Sequence, residues 1–222
     1  MSKTFGISLP TVIDAVRGQV TIERCDTRLR GWATALLDQA EASRVVKHAE
    51  RVPPNETFIL MSNHKSLYDI PLLIESFPRT LRMVTKSELF RVPIWGPAMR
   101  EAGFIEIDRK NGTRAREGLE VAKARLSSGI NVWIAPEGTR SRTGELGPFK
   151  TGGFRLAQAT GFRILPVGIR GTEKILRADG LLVSRGAKVE IEFGEPVDPA
   201  PFDAARRPEL VERVRQAIAA MI

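Results

Sequence analysis

Ile130-Asn131-Val132-Trp133-Ile134-Ala135 runs directly into Pro136-Glu137-Gly138-Thr139-Arg140. The first half is a short, nearly continuous apolar run and reads as a buried strand; the second half is a polar turn. Upstream, residues 113–128 place Ala115, Leu119, Ala122 and Leu126 on one face of a helix. Further strand signals lie at Thr57–Met61, Gly103–Asp108, Ile164–Ile169 and Val189–Phe193, and Leu210, Val214, Ala217, Ile218 and Met221 mark a closing helix. Another helix starts at Asp69-Ile70-Pro71, where Asp69 suits a cap and Pro71 suits a first turn. Strands alternating with helices of this length predict an α/β fold: a single domain with a mostly parallel mixed β-sheet flanked by helices. In such sheets ligands bind beyond the carboxyl ends of the strands, and two polar clusters, 62–69 and 136–140, follow strands there.

Ahead of this region the chain divides at about residue 43. Residues 1–43 form an N-terminal helical extension that offers a contact with a membrane surface, and residues 44–222 form the main domain. Within the extension, Leu29, Trp32, Ala33, Leu36, Leu37 and Ala40 make the stripe of an amphipathic helix over 27–42. Two readings follow: a helix packed on the domain, or one lying in a lipid interface, for which Arg28 and Arg30 supply part of the required basic face. No stretch approaches the ~18 consecutive apolar residues of a spanning helix, and the N-terminus lacks the apolar core of a secretory signal. These features predict a cytoplasmic protein.

The chain has 222 residues, 42% of them hydrophobic and 27% charged, inside the ordinary globular range. One cysteine, Cys25, excludes an intrachain disulfide and every Cys-based zinc motif, and two histidines leave little for metal chemistry. With 34 Lys and Arg against 26 Asp and Glu, the net charge is +8 and an anionic partner is expected. The excess is localised. Residues 77–116 hold nine cations, including Arg82, Lys86 and Arg109, against four acids, and residues 137–187 hold nine more against four. Nucleic acid would want aromatics interleaved with the basic residues, whereas aromatics are 6% of the chain; phosphate and membrane surface are preferred and nucleic acid is not.

Two constellations can carry chemistry. His64 and Asp69, five positions apart, meet only if His64 lies in a loop and Asp69 begins the helix. A carboxylate on one imidazole nitrogen then leaves the other to take a proton from a nucleophile. The plainer alternative is a satisfied loop histidine beside a helix cap. Ser66 lies near but lacks the Gly-rich elbow that exposes a serine nucleophile, so a substrate is expected to supply the hydroxyl. In the second constellation Gly138 allows a tight turn, hydroxyls and amides can donate to phosphate oxygens, and Arg140 can clamp them; a solvated polar turn is the competing reading.

Taken together these blocks resemble the glycerolipid acyltransferase family, in particular its 1-acylglycerol-3-phosphate acyltransferase branch. Asn63-His64-Lys65-Ser66-Leu67-Tyr68-Asp69 is similar to the family's Asn-His-x-x-x-x-Asp block, Gly103-Phe104-Ile105-Glu106-Ile107-Asp108-Arg109 to its second, Pro136-Glu137-Gly138-Thr139-Arg140-Ser141 to its third and Leu165-Pro166-Val167 to its fourth. Lys86-Ser87-Glu88-Leu89 is similar to a further segment whose Lys is held to help bind phosphate. Ala135 stands where the family usually has Phe, and the first 55 residues match no hydrophobic membrane-entry helix of the family.

The resemblance implies transfer of a fatty acyl group from a thioester donor, acyl-CoA or acyl carrier protein, to the free hydroxyl of a lysophospholipid acceptor, 1-acylglycerol-3-phosphate, to form phosphatidic acid, with no further cofactor and no metal. It makes residues 44–222 the acyltransferase domain and His64 and Asp69 its catalytic pair. Asn63, Lys86, Arg109, Glu137, Gly138, Thr139 and Arg140 become candidates for binding substrate, with turn amides near Gly138 as donors to the oxyanion. A lipid substrate and no spanning segment imply peripheral attachment to an anionic membrane surface on its cytoplasmic face. Other acceptors, glycerol 3-phosphate, another lysophospholipid or a lyso-aminolipid, fit the same blocks; from a different class, a basic nucleic-acid- or lipid-binding protein is the alternative.

Overall fold

Phe58, Ile59, Leu60 and Met61 are all buried, with Phe58 and Leu60 in one hydrophobic cluster and Ile59 and Met61 in another. Successive side chains of a strand point to opposite faces, so this strand lies between two apolar layers. The computed structural model describes residues 2–108 and 111–222. Its strands are β1 (Ser43–Lys47), β2 (Ile59–Ser62), β3 (Leu81–Lys86), β4 (Ile105–Ile107), β5 (Asn131–Ile134), β6 (Ile164–Arg170) and β7 (Lys188–Phe193). The helices are α1 (Ser2–Val16), α2 (Ile22–Gln39), α3 (Asp69–Ser76), α4 (Trp95–Glu101), α5 (Gly112–Ser127), α6 (Gly152–Thr160), α7 (Thr172–Ile175) and α8 (Arg207–Ala219).

One sheet has the order β1-β7-β6-β2-β5-β3-β4. The pairs are parallel except β6 with β7, so the five strands from β6 to β4 run one way and β7 and β1 run the other. The mostly parallel mixed sheet read from the sequence is the fold found. Leu29, Ala33 and Leu37 of α2 join Leu72 and Leu73 of α3 over one face, and Ala122, Phe154, Leu210 and Val214 of α5, α6 and α8 cover the other. Gly168 of β6 lets the chain's end close on that second face: a Cβ there would lie 2.4 Å from the Met221 Cβ.

The apolar stripe of α2 is buried in the core, which decides between the two readings of residues 27–42 in favour of packing on the domain. The helix also starts earlier than its stripe, at Ile22, because the Thr21 hydroxyl accepts from Arg24 N–H at 3.2 Å. On α1 the Ser8 and Thr11 hydroxyls donate to the carbonyls of Thr4 and Ile7, both at 2.8 Å. Asp14 receives Arg28 at 2.6 Å, and that guanidinium holds its carboxyl below the usual carboxylate range. α1 is thereby tied to α2.

One cation of the basic segment 77–116 is not on the surface. Arg82 points into the core from β3, 2% exposed, and pairs with Asp26 of α2 at 2.6 Å; Thr80 donates to the other oxygen of the same carboxylate at 2.6 Å. Breaking a buried pair leaves an uncompensated charge, so Asp26→Ala should lower unfolding free energy by about 3 kcal/mol. The double variant Asp26→Ala/Arg82→Met should recover most of that loss. Urea unfolding checks both; equal losses in the single and double variants would mean that packing, not charge, is at stake.

Candidate active site

Strands β6, β2 and β5 are neighbours and parallel, so their carboxyl ends open on the same edge of the sheet. The three segments that follow them converge there. Asn63 closes β2 against β6: its side-chain amide donates to the Ile169 carbonyl and its side-chain oxygen accepts from Ile169 N–H, both at 2.8 Å. His64 follows. Its backbone N–H donates to Glu137 Oε1 at 2.9 Å, and its carbonyl accepts from Ser141 N–H at 2.7 Å. The segment after β5 therefore grips both backbone groups of His64.

The imidazole Nδ1 lies 2.7 Å from Asp69 Oδ2. That oxygen also accepts from the backbone N–H groups of Lys65 at 2.8 Å and Ser66 at 3.0 Å, while Oδ1 accepts the Thr172 hydroxyl. Asp69 is fully buried and begins α3. Its carboxylate turns back to the preceding loop instead of capping the helix ahead of it, which corrects the capping role expected of it. Because Oδ2 is an acceptor for two amides, Nδ1 is the donor in the pair, and Nε2 carries the lone pair. The ring meets the Trp133 ring edge to face, centroids 5.5 Å apart, and stays 13% exposed. Among the described residues nothing bonds to Nε2, leaving it to a substrate.

Several expected ligands have other work. Asn63 is 1% exposed with both side-chain atoms bonded to Ile169, so it holds the strand end. Glu137 is buried; Oε1 takes His64 N–H and Oε2 takes Gly147 N–H at 2.9 Å, which makes it a brace between two segments. Gly138 supplies the left-handed turn at φ +76, and its N–H donates to the Ala135 carbonyl at 3.0 Å. That amide is committed to the turn, so of the turn amides near Gly138 expected as oxyanion donors this one is taken. Ser66 is buried with its hydroxyl donating to the Leu176 carbonyl at 2.7 Å, consistent with the exclusion of a serine nucleophile.

Thr139 and Lys86 are exposed and Arg140 is half-buried, and no side-chain hydrogen bond or ion pair holds any of them among the described residues. Lys86 ends β3, one strand beyond β5, on the same edge of the sheet. Arg109 lies outside the described residues.

Two hollows flank the His64–Asp69 loop. One is an apolar cavity of 350 Å³ between α1, α2, α4 and β3, lined by Leu29, Trp32, Tyr68, Met83, Met99 and Phe104 among others. Burial pushes the Tyr68 phenol up, so it remains a neutral hydroxyl there. The other is an open groove of 710 Å³ whose lining includes Lys65, Arg142, Lys174 and Arg177 with Glu173 and Asp179. Neither hollow was read from the sequence, and neither was Thr172, whose only signal is its position just after the strand that ends at Arg170.

A family profile described as Acyltransferase matches residues 43–170. The chain is similar to a chloroplastic 1-acyl-sn-glycerol-3-phosphate acyltransferase of Arabidopsis thaliana, 30% identical over 159 residues, covering 71% of this chain and 44% of that protein. It is 32% identical over 164 residues to the 1-acyl-sn-glycerol-3-phosphate acyltransferase of Saccharomyces cerevisiae, covering 71% of this chain and 53% of the relative. The chain thus spans about half the length of these relatives. Among solved structures it resembles the 1-acyl-sn-glycerophosphate (LPA) acyltransferase PlsC from Thermotoga maritima, at TM-score 0.74 and 26% identity, over 95% of this chain and 94% of that one.

The bracing role of Glu137 is separable from substrate binding. In Glu137→Gln one of two N–H groups loses its acceptor, so stability should fall by about 1–3 kcal/mol and the segment 138–147 should become open to limited proteolysis. Unchanged stability and protease resistance would return Glu137 to the substrate-binding group.

Proposed function

Because the chain belongs to the acyltransferase family, we propose that it moves a fatty acyl group from a thioester donor to the free hydroxyl of 1-acylglycerol-3-phosphate, forming phosphatidic acid. The observation that carries this reading is the oriented dyad: Nδ1 of His64 held at 2.7 Å by a buried carboxylate, with Nε2 left open. An alcohol is a poor nucleophile near neutral pH. As its oxygen attacks the thioester carbonyl, Nε2 takes the hydroxyl proton, and Asp69 stabilises the imidazolium that results. The tetrahedral adduct then collapses, the carbon–sulfur bond breaks, and the leaving thiolate takes the proton back from His64. The transfer is direct, since Ser66, the hydroxyl within the loop, is bonded to Leu176.

Substrate binding follows from the surroundings of the dyad. Lys86 and Arg140 are assigned to the acceptor phosphate, with Arg109 joining them by its place in the second sequence block; holding the phosphate places the hydroxyl within reach of His64. The apolar cavity beside Leu67 and Tyr68 suits a hydrocarbon chain. Acyl-CoA and acyl carrier protein both present the same thioester, and the reading takes either as donor.

Among the described residues no helix is long and apolar enough to cross a membrane. The reading therefore has the enzyme attached peripherally to the cytoplasmic face of an anionic membrane through the extension 1–43. Within that extension the contact falls on α1, where Leu9, Ile13 and Val16 are exposed, because the stripe of α2 is buried.

Mass spectrometry of the products formed from mixed acyl donors and a set of lyso-acceptors tests the assignment; phosphatidic acid from 1-acylglycerol-3-phosphate is the expected dominant product. His64→Ala should lower kcat by about 10³-fold, and near-normal turnover would remove the mechanism. Arg140→Ala should strongly reduce kcat/KM with the phosphorylated acceptor and reduce it much less with a monoacylglycerol. Equal losses with the two acceptors would sink the phosphate clamp.

A further inference from the structure

Leu181, Leu182 and Val183 are three consecutive apolar residues that stand 96%, 87% and 48% exposed in the segment joining α7 to β7. Backbone bonds clasp the base of that segment. Gly180 N–H donates to the Arg177 carbonyl at 3.1 Å, Ser184 N–H to Ile175 at 2.8 Å and Gly186 N–H to Ala40 at 3.0 Å. The tip is thus held outward, and its leucines do not fold back onto the body. Adjacent leucines presented to water are unfavourable unless something apolar covers them.

Charge decides what covers them. Between residues 173 and 188 the chain carries Lys174, Arg177, Arg185 and Lys188 against Glu173 and Asp179. Arg177 pairs with Asp179 and Arg185 with Glu41, and Lys174 and Lys188 enter no ion pair among the described residues. Arg142 and Lys65 line the same groove as Leu181 and Leu182. An apolar tip ringed by cations is complementary to a surface that is anionic outside and apolar within, which describes a lipid leaflet. Position agrees with charge. Val183 lines the apolar cavity together with Leu67, itself 49% exposed, while Leu181 and Leu182 line the cationic groove. The tip borders both of the hollows that flank the His64–Asp69 loop.

We propose that Leu181, Leu182 and Val183 insert into an anionic lipid leaflet, seating the edge between Val183 and Leu67 against the acyl chains. A lipid acceptor then moves from leaflet to cavity along that edge without its chain crossing water. The inference rests on the reading of the chain as an enzyme of membrane lipids and adds a contact distant in sequence from the N-terminal extension.

The native thiol makes the test clean. Cys25 is buried and burial pushes its thiol up, so an environment-sensitive fluorophore attaches at the thiol introduced by Leu182→Cys. With vesicles of phosphatidylglycerol and phosphatidylethanolamine the emission should shift to the blue and be quenched by brominated lipid. Leu181→Asp/Leu182→Asp should melt at the parental temperature and turn over a short-chain, water-soluble acceptor normally. With the acceptor embedded in vesicles, its turnover should fall by about tenfold. Protein that floats with vesicles while the dye stays in water overturns the inference and leaves the proposed function standing. A blue shift that grows with protein concentration in the absence of lipid overturns it in favour of a second copy as occupant. Absence of acyl transfer by the parental chain to every acceptor, soluble or embedded, is instead a failure of the proposed function.

Discussion

The carboxylate of Asp69 is fully buried and accepts four hydrogen bonds: from Lys65 N–H, Ser66 N–H, His64 Nδ1 and the Thr172 hydroxyl. A buried carboxylate is costly unless its lone pairs are filled, so the backbone from 64 to 66 has to wrap around it. Wrapping brings the imidazole to Oδ2 and fixes which of its nitrogens faces outward. The fourth donor arrives from a different strand, since Thr172 follows β6. Filling one carboxylate thus locks two loops into one geometry, and the orientation of His64 is a by-product of that satisfaction.

The central position of β2 makes this possible. Lying between β6 and β5, it delivers His64 to a point where loops from both neighbours reach it. Asn63 locks the β6 side through Ile169, and Glu137 and Ser141 hold the β5 side through the His64 backbone. Trp133 adds a wall: its indole N–H donates to the Ser62 hydroxyl at 3.0 Å while its ring meets the imidazole. An antiparallel neighbour in place of either strand would send its following loop to the opposite edge of the sheet.

The central parallel strands and the His64–Asp69 pair were legible because each left a periodic or chemical signature in consecutive residues. What escaped did so for physical reasons. β3 carries Arg82 in the middle of an apolar run, and only its ion pair with Asp26 of α2, 56 residues away, makes a cation tolerable there. α1 contains Gly6 and Pro10, both poor in helix interiors, and is secured by ties to α2. The resemblance places Asn63 and Glu137 among the ligands, yet strand closure and loop bracing use the same donors and acceptors, and a motif does not separate the two. Thr172 acts through a contact spanning 103 positions, a distance at which a sequence carries no local pattern.

Where the positive charge ends up sharpens what the net +8 means. Arg82, Arg163 and Arg170 are paired with Asp26, Glu56 and the Glu190–Glu192 pair, so their charge is spent on holding the structure together. Among the described residues, Lys65, Lys86, Arg140, Arg142 and Lys174 enter no ion pair. Four of these five follow β2, β5 and β6 directly or nearly so, and Lys86 ends β3, which sets all of them toward the edge where His64 opens. Desolvated or paired cations contribute little field outside the protein, whereas unpaired ones at a common edge add. An incoming anion at the edge with the open Nε2 therefore meets cations that no carboxylate already holds.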